Sequence, residues 1–120
     1  MLSETATERY HVSVDQVKTF CEQGYLKVEQ LVTPEEVQEI SDHSMDLMYG
    51  RETVEGIDPP PPGMSPEEIE GRYLRIHMLH HKHELHERYL LHPRILDVLE
   101  VLIGPDVMAM QTMLFIKAPG

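Results

Sequence analysis

At Gly104-Pro105 the hydrophobic pattern of this chain changes period, and that change limits the fold more than any other feature. Before it, Ile95, Leu96, Leu99, Leu102 and Ile103 recur at steps of three and four, which predicts a helix from Pro93 with those residues on one buried face. Pro93 suits a first turn, where its missing N–H has no partner to lose. Gly104 tolerates a left-handed end, and Pro105 blocks continuation. After the break, Val107, Ala109, Gln111, Met113 and Phe115 alternate with Met108, Met110, Thr112, Leu114 and Ile116. Both sets are mainly apolar, which predicts a strand over 106–117 covered on both faces. A helix that gives way to such a strand, with more helices before it, fits an α+β fold.

Those earlier helices announce themselves at their starts. Ser13-Val14-Asp15-Gln16 is a capping box, in which the serine oxygen and the glutamine side chain satisfy reciprocal backbone donors. The helix it opens runs to about Glu22, with Val14, Val17, Phe20 and Cys21 on one face, and Gly24 ends it. Alternation over 25–32 predicts a short strand with Leu26 and Val28 inward. Thr33-Pro34-Glu35-Glu36 is a second capping box, opening a helix of about 34–48 that buries Val37, Ile40, Ser44, Leu47 and Met48. Residues 51–71 hold four consecutive prolines at 59–62 and form a surface insertion, with one helical turn capped at Ser65. Residues 72–79 then read as a strand, Tyr73, Arg75 and His77 facing one way and Leu74, Ile76 and Met78 the other. The whole is one domain, with residues 1–12 a flexible leader.

Charge excludes one class of partner. With 10 Lys and Arg against 21 Asp and Glu, the net charge of −11 repels a polyanion, so nucleic acid is not expected to bind. No run approaches the ~20 apolar residues of a membrane span, and the polar, acidic start lacks the features of a signal peptide. The expected compartment is the cytoplasm. The single cysteine, Cys21, agrees with a reducing environment and, lying among apolar helix positions, is expected to be a small core residue.

His77, His80, His81, His83 and His86 fall within ten residues. On a continuous helix His77 with His81, and His83 with His86, would share faces at chelating distance. A stable site needs three or four fixed ligands with supporting hydrogen bonds. A strand-to-helix transition near residues 80–82 also breaks the spacing. No specific metal ligand is assigned, although a histidine-rich metal carrier remains a reading that rests on this run alone.

Two blocks, FCEQGYLKVEQLVTPEEVQEI and LHPRILDVLEVLIGPDVMAMQTMLFIKAPG, resemble in that order the phytanoyl-CoA dioxygenase family. The resemblance implies an iron(II)- and 2-oxoglutarate-dependent oxygenase with a double-stranded β-helix (jelly-roll, cupin-like) core. The chain corresponds to the family's N-terminal portion, its helices and first strands, and is expected to be truncated before the metal-bearing strands. Iron and 2-oxoglutarate would be cofactors of the full-length parent, hydroxylating a C–H bond of an acyl-CoA or another small molecule. In the family the strand matching 106–117 lines the active-site cavity, and the position matching Met113 touches 2-oxoglutarate. Gln111, two residues earlier, shares its face and is expected in the same pocket. A family lysine that reaches the co-substrate falls near Arg75, where a guanidinium would keep the charge and bind a carboxylate bidentately. Lys117 matches the lysine of a K-P-P-G-like turn from which Ala118 departs. Each has an ordinary alternative, Met113 as core filler and Arg75 in an ion pair with the abundant acids.

The family's first metal ligands come as His-x-Asp or His-x-Glu, because a two-residue step on a strand points both side chains to one side. The residues two beyond the eight histidines are Ser13, Met45, Leu79, Lys82, His83, Leu85, Arg88 and Arg94. None is acidic. No catalytic residue is assigned, iron is not expected to bind specifically to this chain, and the chain alone is expected to be inactive. The competing reading is a non-catalytic truncated fragment or binding module that associates with another chain, or with itself through an exposed last strand.

Overall fold

The computed structural model describes residues 8–119, so the first seven residues of the leader expected at 1–12 lie outside the described residues, as does Gly120. These residues form helices with one small antiparallel sheet, an α+β composition. They divide into two compact units. One runs to Thr33 and resumes over Leu91–Ala109; the other takes Pro34–Leu90 and the chain from Met110.

In the first unit, α1 spans Val14–Gln23 and begins as the sequence predicts. Ser13 Oγ accepts from Gln16 N–H at 3.1 Å, and Gln16 Oε1 accepts from Ser13 N–H at 2.9 Å. Gly24 closes it at φ 78° with its N–H on Phe20 O. Against expectation, Cys21 is exposed. One neighbouring helix covers only the middle of the apolar stripe, where Val17 and Phe20 are half-buried, and leaves Val14 and Cys21 on its edge in water. That neighbour is α5, Pro93–Ile103, whose first turn is capped by His92 Nδ1 accepting from Arg94 N–H.

The face α5 buries is the expected one only in part, with Ile95, Leu96, Leu99 and Leu102 half-buried. Its buried residues are Asp97 and Val98, whereas Ile103 is 65% exposed. Asp97 is inward because Arg9 donates to Oδ1 through two nitrogens, at 3.1 and 2.8 Å, and Tyr10 N–H donates to Oδ2 at 2.9 Å. Arg9 and Tyr10, within the stretch read as a flexible leader, are held by these bonds. The strand expected over 25–32 does not form. Leu26 and Val28 are half-buried between exposed neighbours, but Gln30 takes φ 56°, and among the described residues no strand pairs with the segment. Leu31 O instead accepts from Arg94 Nε at 2.6 Å.

In the second unit, α2 spans Pro34–Tyr49 and buries His43, Leu47 and Met48, while Val37, expected inside, is exposed. The proline-rich segment carries α3, Pro66–Glu70, capped by Ser65 Oγ on Glu68 N–H. It is more than a surface insertion. Its Val54 and Ile57 pack, with Leu114, against the core of Leu47, Ile76 and Leu79. β1, Leu74–His77, pairs antiparallel with β2, Met113–Ile116, in the register Leu74↔Ile116 to His77↔Met113. Met78, at φ 56°, turns the chain out of β1 into a 3-10 turn, Leu79–His81, and then α4, Glu84–Leu90.

The strand expected over 106–117 is therefore four residues long and covered on one side. Leu114 and Ile116 are half-buried, whereas Met113 and Phe115 are exposed, and before β2 Met108 and Met110 are 81% and 77% exposed. Alternate residues of a strand face opposite ways, and the core lies under one face of this sheet. No helix among the described residues is long and apolar enough to cross a membrane.

Candidate functional site

Two groups of side chains in the second unit have the chemistry of a site. The first is built by α2, the turn after it and the start of α4. Ile40, His43 and Leu47 follow each other at steps of three and four, so the face that buries Leu47 carries His43 inward, 7% exposed. After α2 the chain folds back, the N–H groups of Arg51 and Glu52 both donating to Asp46 O. Gly50 makes that turn at φ 72°, and a Cβ there would stand 2.9 Å from Pro59 and Pro60, so only glycine suits it. The Glu52 side chain thereby returns to His43. His83 immediately precedes α4, and His86 lies three residues on, one helical turn away.

Glu52 bridges two imidazoles. His83 Nε2 donates to Oε1 at 2.7 Å, and His83 Nδ1 accepts from Leu85 N–H at 3.2 Å. His43 Nε2 stands 2.9 Å from Oε2, within ion-pair distance, but the approach is misaligned and this buried nitrogen makes no hydrogen bond. Across the same ring, Nδ1 shares a 2.9 Å hydrogen bond with His86 Nε2. Burial, then the neighbouring His43 and His83, lowers the pKa of His86 to about 4, which keeps it neutral near pH 7. The ligand-type atoms of His43, Glu52 and His83 all lie within 4.8 Å of one another. Water reaches His83 along an open cleft of about 450 Å³ lined by Glu39, His83, Glu84, Leu85 and Arg88.

The second group lies on the exposed face of the sheet. Arg75 stands opposite Phe115 and His77 opposite Met113. Arg75 Nε donates to His77 Nε2 at 2.6 Å, and its guanidinium carbon sits 6.0 Å from the Phe115 ring centre. Arg75 also lines an open groove of about 390 Å³ with Arg72, Tyr73, Leu74 and the loop residues Gly56, Ile57, Asp58, Pro59 and Pro61. Of the residues singled out from the sequence, Arg75 and Met113 thus share one face of the sheet. Gln111 precedes β2 and Lys117 follows it, both exposed. Gln111, Met113 and Lys117 are not among the residues lining the Arg75 groove.

The histidine run does not act as a run. His77 belongs to β1, His80 Nδ1 bonds to Thr112 Oγ1 at 2.7 Å, and the exposed His81 ring stacks edge-on against His80. His83 meets His43 and Glu52 instead, residues that sequence reasoning passed over. For His43 a signal existed, the three- and four-residue steps from Ile40 to Leu47. For Glu52, among so many acids, there was none.

A family model described as phytanoyl-CoA dioxygenase (PhyH) matches residues 20–120. No curated protein and no solved structure matches the chain.

Proposed function

That match spans most of the chain, which therefore belongs to the phytanoyl-CoA dioxygenase family, and from that membership we propose that the protein serves iron(II)- and 2-oxoglutarate-dependent dioxygenation of a C–H bond in an acyl thioester or another small molecule. The family is generally dependent on both cofactors. In this reading the two-stranded sheet opens a double-stranded β-helix, and the face bearing Arg75 and Met113 is turned to the co-substrate. One observation carries the residue roles: Arg75 and Arg72 line the same groove, against the single acid Asp58. In a chain of net charge −11 a dianion is repelled from most of the surface, so two guanidiniums at one groove make a distinct place for it. A guanidinium holds a carboxylate through two parallel N–H bonds, which orients it as well as attracting it. Gln111 would add an amide that both donates and accepts, Met113 an apolar contact and Lys117 a further ammonium.

Iron held as the family's motif holds it does not fit these 120 residues, since no histidine has an acid two positions on. The part assigned to this chain is to bind and orient the dicarboxylate. Calorimetric titration with 2-oxoglutarate tests it. Arg75→Gln should weaken binding about tenfold or more, the usual loss for a charged hydrogen-bonded partner, and Arg75→Lys should recover part of it. Equal affinities for the parent chain and Arg75→Gln would overturn the assignment.

The open edges of the two-stranded sheet among the described residues favour a second reading, a non-catalytic module that pairs with another chain. Succinate formation by this chain with added iron, above a metal-only control, would exclude it.

A further inference from the structure

The dicarboxylate reading leaves the buried histidine cluster unused, although among the described residues it is where three metal-ligating side chains bring their ligand atoms within 4.8 Å of one another. We propose that His43 Nε2, Glu52 and His83 Nε2 bind one divalent first-row transition-metal ion, with His86 fixing the His43 ring from behind. The donor set, two imidazoles and one carboxylate, suits zinc, cobalt or iron. The site is separate from the family's His-x-acid motif.

His43 supplies the decisive observation. Its ring is 7% exposed, and Nε2 faces the Glu52 carboxylate at 2.9 Å without a hydrogen bond. Either tautomer leaves a fault. With the proton on Nδ1, the ring donates to His86 Nε2, but Nε2 is then left buried with no donor to serve its lone pair and a carboxylate oxygen 2.9 Å away. With the proton on Nε2, that N–H is too poorly aligned to bond the oxygen beside it. A second proton leaves the same misaligned N–H. A metal ion removes the fault, because ligand atoms about 2.0–2.1 Å from a shared ion stand roughly 3 Å apart, each off the other's axis since both axes aim at the ion. The 2.9 Å misaligned contact has that form. In this arrangement His43 donates Nδ1–H to His86, which fixes the tautomer and orientation of the ligating ring.

His83 must adjust. It now donates Nε2–H to Glu52 and accepts from Leu85 N–H at Nδ1. Metal binding at Nε2 moves the ring proton to Nδ1, so the bond from Leu85 is released. The cleft beside His83 gives the ion a route from solvent; Glu39 there is paired with Arg88, and Glu84 adds an acid that favours a cation.

The test is titration of the chelator-treated chain with zinc by calorimetry, and with cobalt by its visible absorption, with no 2-oxoglutarate present, so that its outcome is independent of the dioxygenase reading. One equivalent should bind. Glu52→Gln and His83→Asn, at partly exposed positions, should each weaken binding about tenfold or more, and zinc should shift the Leu85 amide resonance. His81→Asn, at an exposed ring outside the cluster, should bind as the parent does. Loss in His81→Asn equal to that in His83→Asn would mean chelation by the surface histidine run and would overturn the proposal. So would parent-like affinity in Glu52→Gln, or no binding at all.

Discussion

Asp97 shows how a single charged side chain can be held among the most enclosed positions of a helix. The hydrophobic steps of α5 point to Ile95, Leu99 and Ile103, yet the residues most enclosed are Asp97 and Val98. A carboxylate can occupy that position because the Tyr10 backbone N–H and then the Arg9 side chain bond to it, which hold its pKa below the ordinary carboxylate value. The sign of the resulting pH dependence follows. An acid whose folded pKa is lowered contributes stability above its unfolded pKa, about 3.9, and that contribution is lost as pH falls through the lowered folded value. Asp97→Asn should therefore melt at lower temperature than the parent at pH 7, and the gap should close as the pH is taken below about 4. A gap that persists unchanged in acid would show that the carboxylate charge is not what holds residues 9 and 10. None of this was legible in the sequence, because Arg9 and Asp97 are 88 positions apart. The Ser13–Gln16 box was legible because its partners are three residues apart. The same distinction separates the two candidate sites. Arg75 and Met113 stood out through resemblance to a family, while Glu52 meets His83 from 31 positions away.

At the scale of elements, the starts and stops of helices follow from local chemistry, and the extent of strands does not. Ser13, Pro34, Ser65, Pro93, Gly24 and Gly104 all mark helix ends where the sequence predicts them. A strand needs a partner to exist, and alternation alone does not supply one, so 25–32 stays irregular and 106–117 shrinks to β2. Periodicity likewise names a helix stripe without saying how much of it a neighbour covers. Leu79 and Ile103 separate these effects. Leu79 sits in a three-residue turn with no amphipathic signature, yet it is 0% exposed against Leu47 and Ile76. Leu79→Ala should cost about 2–5 kcal/mol in urea unfolding, the range for emptying an enclosed leucine site. Ile103→Ala, the substitution the hydrophobic pattern marks as severe, should change stability by less than about 0.5 kcal/mol. A large loss at Ile103 would mean that its face is covered in solution.

For the molecule as a whole, two opposing effects govern how copies meet. The net charge of −11 drives them apart. The sheet, with two strands among the described residues, offers unpaired backbone edges, and Phe115 is half exposed beside Met113, with Met108 and Met110 just before them. Covering one phenylalanine contributes about 1.5–3 kcal/mol, whereas the repulsion acts over a Debye length of about 10 Å at 0.1 M salt and about 3 Å at 1 M. At low salt the repulsion wins, and at high salt the apolar contact does. Sedimentation equilibrium should therefore show a monomer at low ionic strength and increasing association as salt is raised. Phe115→Lys should abolish that association by removing the apolar contact and placing charges opposite one another. Association that weakens with salt would instead indicate ion pairing between copies, and a monomer under all conditions would mean that the exposed face of β2 does not bind a second copy.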